Sequence, residues 1–245
     1  MKKCLAKALA FLACSVPMSA SWAYFDFYPT PTEFASWPEY CAAQYVFIME
    51  GRNADVAGAY SPATIANWRS RIGDQTFLGM HHFCSSIHYL NRAKAQRNPD
   101  QKKFLLTTAQ DEVSFSLRSA DQSSIIYPDI VISFALIKRE QGDPQAAVTQ
   151  LQRLIEVQPQ SARAYVALAM MHKQLKQLPA AREALIKGNT VMEGNSSDIQ
   201  YNLGLINLEL GDVSEAVENA KKAYALGYPL PWLKDKLRSM GKWPD

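Results

Sequence analysis

The stretch PDIVISFALIKREQGDPQAAVTQLQRLIEVQP, residues 128–159, decides the fold because its pattern returns twice further along the chain. The second copy begins at Ala162, and the third, SDIQYNLGLINLELGDVSEAVENAKKAYALGYP, covers residues 197–229. Each copy has the length and the apolar spacing of two helices joined by a short turn. The sequence therefore predicts three successive helical hairpins, each about 34 residues long.

Small residues recur at two places when the copies are numbered from Pro128, Ala162 and Ser197. They are Ala135, Ala169 and Gly204 at position 8, and Ala147, Ala181 and Ala216 at position 20. Antiparallel helices approach closely only where the facing side chains are small, so we expect positions 8 and 20 to face each other. One hairpin cannot bury its whole apolar face alone, and the copies must therefore stack.

This pattern resembles the tetratricopeptide repeat family over about 100 residues. The resemblance implies an all-α fold: a right-handed α-solenoid of antiparallel helix pairs, preceded here by a smaller helical N-terminal region. Two features depart from the family pattern. The aromatic residue usual at position 4 is present only as Tyr165, and the tyrosine usual at position 11 is absent.

We expect four segments along the chain. They are a signal peptide at 1–23, an N-terminal helical region at 24–126, repeats at 128–161, 162–196 and 197–229 within 127–229, and a capping helix with its tail at 230–245. In the cap, Trp232, Leu233 and Leu237 are predicted to cover the end of the stack, because the last hairpin has no neighbour.

The N-terminal region is predicted to begin with an extended arm at 24–38, since no helical or strand period fits this segment of aromatics and prolines. We expect the arm to lie on the helical body; a second hypothesis is that it docks a partner. Helices are predicted at 39–51, from Ser61-Pro62 to Ile72, at 76–96 and at 101–119. The last two could form a degenerate repeat hairpin, but they do not align on the alanine positions.

Export is predicted from the first 23 residues. Lys2, Lys3 and Lys7 precede a short apolar run at 8–13, and Ser21-Trp22-Ala23 offers small residues for cleavage. The apolar run is too short to span a bilayer. We expect a periplasmic mature protein in a bacterium. The alternative is an outer-membrane lipoprotein anchored at Cys14, and only this alternative would attach the protein to a membrane.

Composition argues against nucleic acid as a partner. The chain has 26 Lys+Arg and 23 Asp+Glu, and three of the lysines but no acids lie in the signal, so 23 of each remain after its removal. The apparent basicity is therefore an export feature. The sequence shows no phosphate loop, nucleophile elbow or zincin motif, and it predicts neither an enzyme nor a cofactor.

Cys41 and Cys84 are the two cysteines of the mature chain. In an oxidising periplasm we expect them to form a disulfide; the alternative is two buried free thiols. Cys84 also lies among His81, His82 and His88, a set that gives the rival hypothesis of a metal-binding protein or enzyme. A disulfide would consume Cys84, and the sequence offers no full set of metal ligands.

The resemblance places the binding groove on the first helix of each hairpin. Its predicted residues are Ile132, Leu136, Arg139, Arg163, Val166, Met170, Lys173, Tyr201 and Leu205. An apolar centre with charged margins suits a helix or an extended peptide. The leading hypothesis is a non-catalytic adaptor of the bacterial envelope that binds a partner protein. The alternative is that the groove is filled by the arm or by the helix at 101–119.

Overall fold

A computed structural model describes residues 27–49, residue 56 and residues 58–243 of this 245-residue chain. The residues it describes form thirteen α-helices and no strand. These helices are α1 (Pro31–Ala35), α2 (Glu39–Ile48), α3 (Pro62–Ile72), α4 (Asp74–Gly79), α5 (His81–Ala95), α6 (Pro99–Ser119), α7 (Tyr127–Glu140), α8 (Pro144–Val157), α9 (Ala162–Gln174), α10 (Leu178–Val191), α11 (Ser197–Leu210), α12 (Val213–Ala225) and α13 (Trp232–Ser239). Among the described helices, none has the length and hydropathy needed to cross a membrane. The predicted signal peptide lies outside the described residues.

The three predicted hairpins are present as the pairs α7–α8, α9–α10 and α11–α12. Ala147, Ala181 and Ala216 are each the fourth residue of the second helix, and all three side chains are fully buried. Successive pairs pack against each other, so the hydrophobic core continues from one hairpin into the next. The prediction of an all-α solenoid of helix pairs is confirmed.

The turn inside each hairpin has the same geometry in all three copies. Position 15 is Gly142, Lys176 and Gly211, with φ of 81°, 59° and 88°. The N–H of the following residue donates to the carbonyl at position 11, at 2.9 Å in every copy. This bond satisfies one of the carbonyls left open at the end of the first helix. This turn requires a residue in the left-handed conformation, which is glycine in the first and third copies and lysine in the second.

The predicted helix boundaries in the N-terminal region need correction. The helix expected at 76–96 is divided into α4 and α5 at Met80, directly after the weak helix former Gly79. The helix expected from 101 begins earlier, at Pro99, because Asn98 caps it by accepting from the N–H groups of Asp100 and Gln101. The helix expected at 39–51 ends at Ile48.

The arm was predicted to contain no helix, and for the described part from Phe27 onward this is wrong. Pro31–Ala35 forms the short helix α1, which Thr30 and Glu33 close with a reciprocal capping box. The sequence did contain a local signal for this helix, because a Thr, a Pro and a Glu stand at the spacing of a capping box. A helix of five residues is too short to show a helical period of apolar residues. Phe27 and Trp37 are buried in the core formed with α2, α5 and α6, so this part of the arm lies on the helical body.

The predicted pairing of Cys41 with Cys84 is present as a disulfide, with the two Cα atoms 5.5 Å apart. It ties α2 to α5 within the core of the N-terminal region. Both residues are fully buried among aromatic side chains.

Candidate interaction groove

An open cavity of about 340 Å³ lies between α7 and α9 on the surface of the stack. Its walls come from the first helices of the three hairpins and consist mainly of apolar side chains. The lining residues are Ile132, Ala135, Leu136, Arg139, Arg163, Val166, Ala167, Met170, Met171 and Asp198. We call this cavity the groove.

Helical spacing explains why these residues meet. Ile132 and Leu136 are four residues apart on α7, and Val166 and Met170 are four apart on α9, so each pair projects from one face of its helix. These four side chains are partly exposed, as is that of Ala167, whereas Ala135 and Met171 of the cavity wall are buried. The partly exposed side chains therefore present apolar surface that the hairpins do not use for their own packing.

Six of the nine predicted groove residues line the cavity: Ile132, Leu136, Arg139, Arg163, Val166 and Met170. The structure places the other three elsewhere. Tyr201 is buried and stacks on Tyr228 with ring centroids 3.8 Å apart, and Leu205 packs in the same cluster. Lys173 pairs with Glu209 of the next hairpin.

The capping helix α13 closes the stack at its C-terminal end. Leu233 and Leu237 are fully buried against the third hairpin, whereas Trp232, which we expected to join them, is 57% exposed. α13 approaches so closely that a Cβ atom at Gly204 would lie 2.6 Å from a Leu233 methyl carbon. The small residue at position 8 of the last copy therefore serves the cap as well as its own hairpin.

The groove is not lined by the N-terminal region in the part of the chain that the structure describes. All lining residues belong to α7, α9 and α11, and none comes from 27–49 or 58–126. If the described arm or α6 filled the groove, residues of the arm or of α6 would be among those that line it. The N-terminal region reaches only the groove margin, where the Tyr40 hydroxyl donates to Asp129 at 2.7 Å.

Ion pairs neutralise much of the groove margin. Arg163 pairs with Asp129, which also accepts the Tyr40 hydrogen bond. Burial, and then the negative charge of Asp129, raise the pKa of the Tyr40 phenol well above its ordinary range, so Tyr40 is a neutral donor at all physiological pH values. This contact fixes Asp129 and, through it, Arg163 beside the groove.

The predicted histidine set is not brought together. Cys84 is in the disulfide, and His88 is buried with its ring stacked 3.8 Å from Phe27. His81 and His82 are adjacent, and His82 Nδ1 lies 2.6 Å from Glu112. Within the described ranges, no three His, Cys, Asp or Glu side chains are arranged to hold a metal ion. The rival metal-site hypothesis therefore lacks a donor set there.

Comparison with known proteins addresses the repeats directly. Residues 133–188 match a family model described as tetratricopeptide repeat, and residues 197–226 match a second model with the same description. These two segments are tetratricopeptide repeats. The matched ranges cover parts of all three hairpins and leave the N-terminal helices outside. Repeats of this family generally bind protein partners and are generally non-catalytic.

Two solved structures are among those to which this chain is similar. The crystal structure of YrrB, described as a TPR protein with an unusual peptide-binding site, has a TM-score of 0.48 and 15% sequence identity, covering 80% of this chain and 90% of that chain. The crystal structure of MamA has a TM-score of 0.42 and 20% identity, covering 69% of this chain and 97% of that chain. No curated protein sequence matches this chain significantly.

Proposed function

We propose that this protein is an adaptor of the bacterial cell envelope that holds a partner protein by a short segment placed in the groove. The observation that carries the proposal is the open, mainly apolar cavity between α7 and α9. Its volume falls in the range of about 300–1,000 Å³ that is typical of ligand sites. Partly exposed apolar side chains at Ile132, Leu136, Val166 and Met170 would be covered by apolar side chains of the partner.

Hydrophobic burial would supply most of the affinity. Covering one apolar side chain of average size contributes on the order of 2 kcal/mol. Association and ordering of the partner segment oppose this gain. A segment with two or three apolar residues therefore suits reversible binding better than permanent assembly.

Two features support the envelope as the setting. The first 23 residues have the pattern of an export signal, which predicts a periplasmic mature chain or, in the alternative, an outer-membrane lipoprotein. The disulfide between Cys41 and Cys84 suits an oxidising compartment. Assembly of a secretion, pilus or polysaccharide-export system is a setting in which such an adaptor would work, and no residue selects among these systems.

The proposal is tested by changing the groove without changing the fold. Ile132→Asp with Met170→Asp places two carboxylates in the apolar wall. The control is Val157→Asp with Ile186→Asp, two exposed apolar residues on the second helices of their hairpins. Envelope extract of the source bacterium would be passed over each immobilised mature protein and over wild type.

The groove variant is expected to lose partners that wild type and the control variant both retain. Circular dichroism and melting temperature would check that all three proteins are folded. If the same partners bind the groove variant as bind wild type, the groove is not the interaction surface and the proposal fails.

A further inference from the structure

The helices α5 and α6 stack on the repeats as if they were a fourth hairpin. In the repeats, the first helix of each hairpin contacts the first helix of the next, and α5 contacts α7 in the same way. The second helix of a hairpin also contacts the first helix of the next, as α8 contacts α9, and α6 contacts α7 in the same way. The buried residues Ala109, Val113 and Ser116 on α6 have the spacing of Ala147, Leu151 and Leu154 on α8. The first helix of this additional pair therefore borders α7 on the side away from α9.

This packing gathers three cations at the end of the groove. Arg139 of the groove wall donates to Glu140 Oε1 at 3.1 Å, and Lys102 of α6 donates to Oε2 of the same carboxylate at 3.3 Å. Lys94 of α5 is close enough to interact electrostatically with both Arg139 and Glu140. We call Lys94, Lys102, Arg139 and Glu140 the cationic corner.

The cationic corner has more positive than negative charge, unlike the rest of the groove margin. Arg163, the other cation of the groove wall, has Asp129 as its partner. The corner has one carboxylate and three cations, of which Lys102 and Arg139 contact the carboxylate. Burial would raise the pKa of Glu140, but hydrogen bonds from Arg139 and Lys102 outweigh it, so the pKa lies below its usual value and the carboxylate stays ionised.

The electrostatic environment of Lys94 agrees with this surplus. Its pKa is lowered first by burial and then by the repulsion of Arg139, and Glu140 offsets this only in part. A further carboxylate placed beside these groups would relieve the repulsion between them.

We propose that the cationic corner binds an acidic side chain of the partner segment, next to the apolar residue that fills the groove. Arg139 belongs to both surfaces, so the two contacts are contiguous. The expected occupant is a peptide segment in which Asp or Glu lies close to apolar residues. This inference rests on the proposed function, since it names the chemistry of the segment that the groove receives.

A peptide fits this arrangement better than a polyanion does. Nucleic acid is held by basic stripes that follow many phosphates. Here two cations contact one carboxylate and a third interacts with it electrostatically, and the mature chain is predicted to have equal numbers of acidic and basic residues. Apolar surface directly beside a small positive patch is the pattern of an acidic, amphipathic peptide site.

The test is selection of binders from a random-peptide phage library on the immobilised mature protein. Synthetic copies of the selected peptides would be titrated by fluorescence anisotropy against four proteins. These are wild type, Lys94→Gln with Lys102→Gln, the matched control Arg97→Gln with Lys103→Gln, and the groove variant Ile132→Asp with Met170→Asp. Melting temperatures would verify that each is folded.

We expect the selected peptides to combine apolar residues with Asp or Glu. The Lys94→Gln, Lys102→Gln protein should bind them about 5- to 20-fold more weakly than wild type, while the control binds as wild type does. Replacing the peptide's acidic residue by Gln should cause a similar loss in wild type and little further loss in the double variant, because the two groups act on each other.

The outcomes separate the inference from the proposed function. One outcome is that the peptides bind the groove variant weakly but bind the Lys94→Gln, Lys102→Gln variant as tightly as wild type. This outcome would contradict the role of the cationic corner and would still support the groove as the binding site. Peptides that bind the groove variant unchanged, or a library that yields no binder, would contradict the proposed function and the inference with it.

Discussion

Lys176 occupies, in the second hairpin, the left-handed position that Gly142 and Gly211 occupy in the other two. A side chain at positive φ is strained, and glycine is not. Lys176→Gly is therefore expected to raise the free energy of unfolding by about 0.5–1 kcal/mol, measured by urea denaturation.

Lys187→Gly supplies the control, since Lys187 lies inside α10. There the same substitution should lower stability by about 1 kcal/mol, because glycine is a poor helix former. Equal destabilisation by both changes would show that Lys176 is not held in the left-handed conformation.

Single residues of the groove could be predicted only in part. Repeat numbering correctly indicates that Ile132, Leu136, Val166 and Met170 line one cavity, because helical spacing is local. The pairing of Lys173 with Glu209, 36 residues further along the chain, was not predicted, since it depends on how their two helices are placed. Tyr201 was expected to line the groove and instead stacks on Tyr228, which belongs to the link before the cap.

Within the second hairpin, α9 and α10 pack closely because a large side chain on one helix lies against a glycine on the other. A Cβ atom at Gly188 would lie 2.6 Å from the Tyr165 ring, so the missing side chain on α10 makes room for the aromatic ring on α9. The sequence shows both residues, but their contact across the hairpin required the structure.

Gly188→Ala should therefore lower the free energy of unfolding by about 1–3 kcal/mol through overpacking. Combining it with Tyr165→Val should cost less than the sum of the two single changes, as measured in a double-mutant cycle. Gly79→Ala is the control, because nothing lies within 4 Å of the added Cβ atom. Additive effects of Gly188→Ala and Tyr165→Val would mean that these two residues do not share the space.

The sequence raised a degenerate hairpin formed by the helices at 76–96 and 101–119, but it could not be aligned on the alanine positions, and the reason is physical. α6 has 21 residues and α8 has 14, so the shared pattern lies deeper in α6 and no constant repeat length brings it into register. Its buried residues Ala109, Val113 and Ser116 keep the helical spacing, and that spacing was the available signal.

The short helix α1 is held on the body by an ion pair that depends on pH. Arg92 donates from Nε and Nη2 to the two carboxylate oxygens of Glu33, and this hydrogen bonding lowers the pKa of Glu33 from 4.5 to about 2. Because the pKa is lower in the folded state, the stabilisation is present above about pH 4.5 and is lost as the pH falls towards 2.

Glu33→Gln is expected to lower the free energy of unfolding at neutral pH by on the order of 1 kcal/mol, a value reduced by the solvent exposure of Arg92. The difference from wild type should shrink between pH 4.5 and pH 2, as measured by denaturation at a series of pH values. Glu183→Gln on α10 controls for the loss of a carboxyl group. A difference that persists unchanged at pH 2 would contradict this account of the ion pair.

For the whole chain, the disulfide links parts that are distant in sequence. It joins residues 43 apart and fastens α2 to α5, the first helix of the fourth hairpin. Cys41→Ala with Cys84→Ala should lower the free energy of unfolding by about 3–4 kcal/mol. A reductant should lower the melting temperature of the wild-type mature protein towards that of the variant and leave the variant unchanged. A wild-type melting temperature that does not respond to reductant would contradict a stabilising bond.

The architecture of the repeats was predictable because it depends on small residues at fixed spacing. The N-terminal region was less so, because aromatic packing and a disulfide hold its short helices and no period connects them. The cationic corner forms where these two parts meet, and neither part predicts it alone.

The claim that the groove receives the partner is tested most directly by site-specific photo-crosslinking in the native envelope. A photoreactive phenylalanine analogue would replace Met170 in the groove or, as control, the exposed Ile186 on α10. The account predicts a covalent adduct with a partner protein from position 170 and none from position 186. An adduct that forms from position 186 and not from position 170 would contradict it.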